Sequence, residues 1–251
     1  MTLPLTHLSS FGDSINAVVI GASGGIGSSI TSHLAEIENV RGILALSRTP
    51  IVATGNIFSH HLDLEDAKSI EVAAQFAKTV LKDIQLVIVA SGILHDKEIQ
   101  PERALRQIDG EKFARVMAVN AIGPALAIKY FAPLMPRTGK AVLAVVSARV
   151  GSISDNNLGG WYAYRASKAA VNQIVRTGSI EIARHNHQAV MISLHPGTTD
   201  TKLSKPFQGR VTEKQLFSPS HSAACMLRVI ESVTASASGK LLSWDGYELP
   251  Y

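Results

Sequence analysis

The sequence predicts an α/β fold: a single doubly wound domain over residues 1–251, with a mostly parallel sheet flanked by helices on both faces. Three observations predict it. Short aliphatic runs alternate with stretches of helical spacing along the chain, the pattern of repeated strand–helix–strand units. Two of the runs, residues 86–90 (LVIVA) and 141–147 (AVLAVVS), are almost wholly aliphatic, as parallel strands covered on both faces are. The clusters of chemically capable residues fall at the carboxyl ends of the runs, where such sheets bind ligands.

In chain order, residues 17–21 read as the first strand and 26–37 as the helix behind it. Residues 42–47 (GILALS) and 57–62 are the next two strands, and 66–82 have helical spacing. Strand 86–90 precedes a long helix over 111–131; strand 141–147 precedes another over 162–185. Residues 190–194 form a further strand. Pro219 suits a first helical turn and Ser218 its cap, so a helix is expected from there to 233, with a last strand over 240–244. No linker, low-complexity tract or fixed-period repeat interrupts the alternation.

The 251 residues can bury a full core without disulfides or metal. A hydrophobic share of 46% beside 18% charged residues fits a globular chain and not a disordered one. The single cysteine, Cys225, excludes an intrachain disulfide and a multi-cysteine zinc site, and it reads as a small packed side chain. It is compatible with a reducing compartment, and a cytoplasmic location is expected. Residues 1–14 lack the charged start and apolar centre of a signal peptide. No apolar run approaches the ~20 residues that span a bilayer, so no membrane partner is expected. The formal charge of +4 comes from scattered residues, without the basic patch that nucleic acid requires. Nine histidines raise the question of a metal. His60 and His61 are adjacent, which on a strand sends them to opposite faces. His185 and His187 flank a helix end, where a cation complements the dipole. No metal site is expected.

The first strand runs into Gly21-Ala22-Ser23-Gly24-Gly25-Ile26-Gly27 and then a helix. Glycines there permit a tight turn and close approach of a pyrophosphate, while the helix N-terminus offers free N–H groups and partial positive charge. The spacing is G-x-x-x-G-x-G and not the commoner G-x-G-x-x-G. Dinucleotide binding is the expectation, with a purely structural turn as the alternative. After the second strand comes Arg48, with no acidic residue between Arg41 and Pro50. An acid there would bind a ribose 2′-hydroxyl, whereas an arginine accommodates a 2′-phosphate. NADP(H) is therefore expected over NAD(H), unless Arg48 is an ordinary surface arginine. Asp63, ending the third strand, could meet the adenine edge or cap the next helix.

The stretch GGWYAYRASKAA opens the second long helix. Tyr164 and Lys168 stand at i and i+4, on one helix face, whereas Tyr162 is turned off it. A tyrosine of pKa ~10 is a poor base at neutral pH. A neighbouring ammonium is expected to lower that value toward the range useful for proton transfer. Ser147, at the end of the fifth strand, could hydrogen-bond a substrate oxygen. Alone, Tyr164 and Lys168 would be an ordinary surface pair; Ser147 and the upstream glycine loop make them catalytic candidates.

These residues, with Pro196-Gly197-Thr198-Thr199-Asp200-Thr201, resemble the short-chain dehydrogenase/reductase family over essentially the whole chain. GGWYAYRASKAA, residues 194–197 (LHPG) and residues 244–251 (WDGYELPY) are similar to its C-factor-like and sniffer-like carbonyl reductase branch. The resemblance implies a Rossmann-type domain with Tyr164 as general acid/base, Lys168 holding the nicotinamide ribose and Ser147 polarising a carbonyl. Asn120 would support a water-linked proton relay to the lysine. Gly21, Ser23, Gly24, Gly25, Ile26 and Gly27, then Asp63 and Leu64, and Ala90, Ser91 and Gly92, would contact the cofactor. Pro196, Gly197 and Thr198 would meet its nicotinamide end, and Thr201 the carboxamide or pyrophosphate. A homodimer or homotetramer acting on a small carbonyl or alcohol compound is implied.

Three features depart from the family pattern. Ile20 stands where a threonine braces the glycine loop, and Val89-Ala90-Ser91-Gly92 replaces Asn-Asn-Ala-Gly. Residues 151–157 (GSISDNN) lengthen the loop between Ser147 and Tyr164. His95, Trp161, Leu158 and residues 202–210 are candidates to line a substrate pocket, and those around 122–128 to form helix core or a subunit contact. An NADPH-binding regulator with little turnover is the reading from another class. An epimerase or dehydratase would need more chain than the fifty or so residues after Thr201.

Overall fold

In the computed structural model, which describes residues 5–210, 212 and 215–251, the elements follow the expected alternation. They are β1 (Ile15–Ile20), α1 (Gly25–Ala35), β2 (Val40–Ser47), β3 (Ile57–His61), α2 (Ala67–Val80) and β4 (Leu86–Val89). Then come α3 (Gly110–Met117), α4 (Gly123–Phe131), β5 (Ala141–Val146), α5 (Tyr162–His185) and β6 (Ala189–His195). The chain continues through β7 (Thr198–Thr199), β8 (Leu216–Phe217), α6 (Pro219–Ser232), β9 (Leu241–Ser243) and β10 (Glu248–Leu249).

Eight strands form one sheet in the order β10-β9-β6-β5-β4-β1-β2-β3, parallel except for β10. Strand side chains alternate, so each buried strand feeds two cores. Ala17, Val19, Ala144 and Ile192 pack under α1 and α6 with Ile30, Leu34, Met226 and Ile230. Val18, Leu143, Val145 and Met191 pack under α2, α4 and α5 with Ile70, Phe131, Val171 and Val175. Caps fall where the residue types allow them: Asp66 Oδ1 accepts the Lys68 N–H at α2, and Ser218 Oγ the His221 N–H at α6.

The chain passes from β1 to β2 on one side and to β4 on the other, so the strand order reverses at β1. In open α/β sheets the crevice at such a reversal is where ligands bind.

The helix expected over 111–131 is divided. A π-helical turn, Ala118–Ile122, separates α3 from α4, and a 3-10 turn, Ala132–Leu134, extends the helical segment from Gly110 to Leu134. That segment is long and apolar enough to cross a bilayer, contrary to the sequence reading. Its apolarity serves burial against α2 and α5: Ala121, Ala127 and Phe131 have almost no exposed surface. The two-residue strands β7, β8 and β10 were not expected; elements so short carry no readable period. Residues 1–4 of the stretch tested for a signal peptide, and Val211, lie outside the described residues.

Candidate active site

Gly21 follows β1 with φ 87°, a conformation that favours glycine. A Cβ there would also collide with Ser91 Oγ, so the loops after β1 and β4 meet at this point. A Cβ on Gly27 would run into the Gly21 carbonyl group, whose carbon would lie 2.8 Å away. Helix α1 thus starts hard against its own loop. Its N-cap, Gly24, supplies no side-chain acceptor, which leaves first-turn N–H groups for an external anion.

This loop borders a cleft of about 390 Å³ along the carboxyl ends of β1 to β4. Gly21, Ser23 and Gly24 line one part, Arg48 and Thr49 another. Asp63 and Leu64 follow β3, and Ala90, Ser91 and Gly92 follow β4. Gly25, Ile26 and Gly27 lie in the first turn of α1, with the Thr201 methyl 3.0 Å from where a Cβ on Gly25 would sit. Arg48 is 66% exposed, with Nη1 3.9 Å from Glu65 Oε2. Asp63 Oδ1 accepts the Glu65 N–H, so one carboxylate oxygen braces its own turn, while Asp66 caps α2.

Sequence reasoning missed Arg115. Its Nη1 lies 2.8 Å from Asp96 Oδ2 and its Nε 3.5 Å from Glu65 Oε1, tying α3 to the loops after β4 and β3 at the cleft. The Ile99 N–H, with Arg115 as a lesser cause, holds the Asp96 carboxyl below its ordinary range.

Asn120 sits in the π-helical turn, almost wholly buried. Its amide bonds both ways to Ile93, accepting the backbone N–H at 2.8 Å and donating to the carbonyl at 2.8 Å, and it also donates to Ser167 Oγ at 3.1 Å. The side chain therefore pins the β4 loop to α5 and makes no hydrogen bond to Lys168. π-turns are frequent at functional sites.

Tyr164 and Lys168 share one face of α5, with the Lys168 ammonium 5.7 Å from the tyrosine ring centroid. Lys168 is 3% exposed, and Nζ donates to the Val146 carbonyl at 2.9 Å. Burial pushes the lysine down to about 8 and the tyrosine up to about 12. The expected lowering of the tyrosine is not what this site shows. Proximity to the ammonium is outweighed by desolvation of the phenolate, because Nζ lies near the ring and is engaged by a backbone carbonyl.

Ser147 also departs from expectation. Its Oγ donates to Asn172 Oδ1 at 2.7 Å, and the residue is 2% exposed. Asn172 lies eight residues beyond Tyr164 on α5, about 12 Å along the axis. Alternation explains this: Leu143 and Val145 face α5, and Ser147 continues their face. Ala148, which has no hydroxyl, lines the neighbouring cavity instead. Ser147→Ala is therefore expected to lower unfolding free energy by about 1–3 kcal/mol, by stranding a buried acceptor. Any turnover should stay within about threefold. Denaturant melts beside steady-state rates check this; a hundredfold loss of kcat with unchanged stability would restore the serine to the chemistry.

That second cavity, about 570 Å³, is walled by Tyr164, Trp161, Phe207, His195 and the Arg149–Asp155 ion pair. Trp161 meets Phe207 edge-on at 5.1 Å and Tyr164 at 6.2 Å. Thr198, Leu158 and Asn157 reach it too, so the lengthened loop does border a pocket. His95 lines the first cleft and packs on Phe207 at 5.4 Å. Leu203 lines both spaces, which meet there. Pro196 and Gly197 line neither: Pro196 accepts from Ser222 Oγ, and Gly197 packs on the Phe217 ring.

Trp161 has φ 55°, and its strained turn is held from outside. The Glu102 carbonyl accepts the Trp161 N–H, and the buried Glu102 carboxylate accepts the Ala163 N–H. Arg165 donates to the carbonyls of Gly159, Gly160 and Val150. Among the described residues no group of three histidine, cysteine or carboxylate side chains is placed to hold a metal.

The family model for short chain dehydrogenases matches residues 16–211. The chain belongs to the short-chain dehydrogenase family, and it is an oxidoreductase of that type. Within the family it is 29% identical over 231 residues to a 1-hydroxy-2-glutathionyl-2-methyl-3-butene dehydrogenase of Rhodococcus sp. strain AD45, covering 91% of this chain and 96% of that one. It is 34% identical over 148 residues to C-signal of Myxococcus xanthus, 59% of this chain and 84% of its relative. NADPH-bound carbonyl reductase from chicken fatty liver superposes with a TM-score of 0.83 at 25% identity, over 97% of each chain. The carbonyl reductase Sniffer of D. melanogaster, at 18% identity and TM-score 0.78, covers 95% of this chain and 99% of its own and shares the fold.

Proposed function

We propose that this short-chain dehydrogenase is an NADP(H)-dependent carbonyl reductase with Tyr164 as its proton donor. The observation that carries the reading is Tyr164, backed one turn on by buried Lys168, in the wall of a cavity that joins the cleft beside the glycine loop at Leu203. The likeness to a carbonyl reductase with bound NADPH supports it.

The residues present fit the cofactor. Uncapped N–H groups of α1 suit a pyrophosphate, and the cradle of Gly21, Gly24 and Gly27 admits it close to the backbone. Arg48 and Thr49 line the cleft after β2 and would hold a 2′-phosphate, Lys168 would hold the nicotinamide ribose, and Thr201, against Gly25, would meet the pyrophosphate or carboxamide. Bound NADPH supplies the hydride that reduces a carbonyl carbon. Tyr164, a neutral phenol at pH 7, gives its proton to the oxygen as that charge develops, and the alcohol leaves. Lys168, still largely cationic at pH 7, then stabilises the phenolate. Trp161, Phe207 and Leu158 favour an apolar or aromatic carbonyl compound. Ile122 and Ile180, exposed on the outer helices, support assembly as a homodimer or homotetramer, and the single cysteine supports a cytoplasmic location.

A nucleotide panel followed by a carbonyl screen at the NADPH absorbance tests the reading. NADPH is expected to raise the melting temperature more than NADH does. Arg48→Ala should weaken NADPH about five- to tenfold, a modest loss because the guanidinium is mostly exposed, and should leave NADH unchanged. Equal shifts from the two cofactors in the unaltered enzyme would sink the preference.

A further inference from the structure

Carbonyl reduction needs a hydrogen bond to the oxygen on which charge develops, and preorganised donors there are worth about 10²–10³ in rate. The expected source, Ser147, does not supply it beside Tyr164. The Ser147 hydroxyl is committed to Asn172, and Ala148 faces the cavity without a donor. His195, the last residue of β6, lies beside Ser147 across the strand pair, where the Ser147 N–H donates to the Leu194 carbonyl. Its ring lines the same cavity as Tyr164 and has no hydrogen-bond partner among the described residues. Nδ1 is buried and unpartnered, which leaves Nε2 to the cavity.

We propose that His195, through Nε2–H, donates a hydrogen bond to the substrate carbonyl oxygen and so takes the place that Ser147 does not fill. The imidazole suits this task as a neutral donor: burial, with the Arg149 guanidinium nearby as a second cause, pushes it down to about 4. A neutral ring polarises a carbonyl without delivering a proton, so proton transfer stays with Tyr164. The strand alternation that turns Ser147 toward α5 runs through Met191 and Ser193 to His195 on β6. At His195 the strand ends, and the side chain reaches the open space.

The proposal rests on the carbonyl reductase reading, and its test separates the two. The holoenzyme is assayed with NADPH and phenanthrenequinone, an aromatic 1,2-diketone, as probe. His195→Phe keeps a ring without a donor and should lower kcat 30- to 100-fold, with NADPH affinity unchanged and KM within threefold. His195→Gln, whose amide N–H reaches the Nε2 position, should restore the rate to within about fivefold of the unaltered enzyme. If Tyr164→Phe is inactive while His195→Phe stays near full rate, the role of His195 is overturned and the wider reading stands. If Tyr164→Phe also turns over at full rate, the wider reading falls. Nitrogen-15 NMR of histidine-labelled protein with NADP+ reads the contact without turnover. The His195 Nε2 signal should shift on adding the quinone and be absent in His195→Phe. An unmoved signal contradicts the proposal.

Discussion

Tyr164→Phe is expected to lower kcat for NADPH-dependent carbonyl reduction by about 10²–10⁴, the range general acid catalysis contributes. NADPH affinity should stay within about threefold. The substitution removes one hydroxyl and keeps the ring that packs edge-on against Trp161, so the cavity wall remains. Because burial pushes the phenol up to about 12, Tyr164 is protonated throughout the neutral range and is an acid at rest. Removing that proton leaves the developing alkoxide to take one from water. The Lys168 ammonium cannot substitute directly, since Nζ sits 5.7 Å from the ring centroid and donates to Val146. Steady-state rates beside a cofactor titration of each variant check this. A near-normal rate in the phenylalanine variant would remove Tyr164 from the chemistry.

Gly27→Ala is expected to abolish measurable NADPH binding and to destabilise the fold by about 1–3 kcal/mol, the cost of forcing an extra methyl into a packed site. The added Cβ would meet the backbone of Gly21 and Ala22, which cannot swing aside as a side chain can. Relief requires moving α1 off its loop, and that displaces the N–H groups the pyrophosphate would use. Thermal melts with and without NADPH separate the two effects: a lower melting point and no cofactor-dependent rise. If the variant bound NADPH normally, the glycine loop would be a structural turn and not a phosphate cradle.

The architecture was legible because its signals are long or repeated. Helix α5 shows 24 residues of amphipathic spacing, and β4 and β5 are aliphatic runs that only a doubly covered strand accommodates. The site was legible in its order along the chain and less so in its orientation. Ser147 stands at the right strand end, yet its hydroxyl follows the face of Leu143 and Val145, and continuing the two-residue alternation would have shown this. For Tyr164, burial outweighs the neighbouring ammonium, and helical spacing carries no measure of burial. Glu102 and Arg115 carried no sequence signal, because their partners are distant along the chain; Glu102 reaches Ala163 across 61 positions. The π-helical turn at Asn120 also leaves no mark on hydrophobic spacing.

The proposed reaction moves a hydride from NADPH to a carbonyl carbon. The direct measurement is turnover with NADPH deuterated at the transferable position of the nicotinamide, against aromatic aldehydes and diketones, with mass spectrometry of the alcohols. One deuterium is expected on the carbinol carbon with the unaltered enzyme, and labelled alcohol should form about 10²–10⁴-fold more slowly with Tyr164→Phe. NADPH that stabilises the fold while no alcohol across the panel carries the label would contradict it, and would point to a protein that binds the nucleotide without using its hydride.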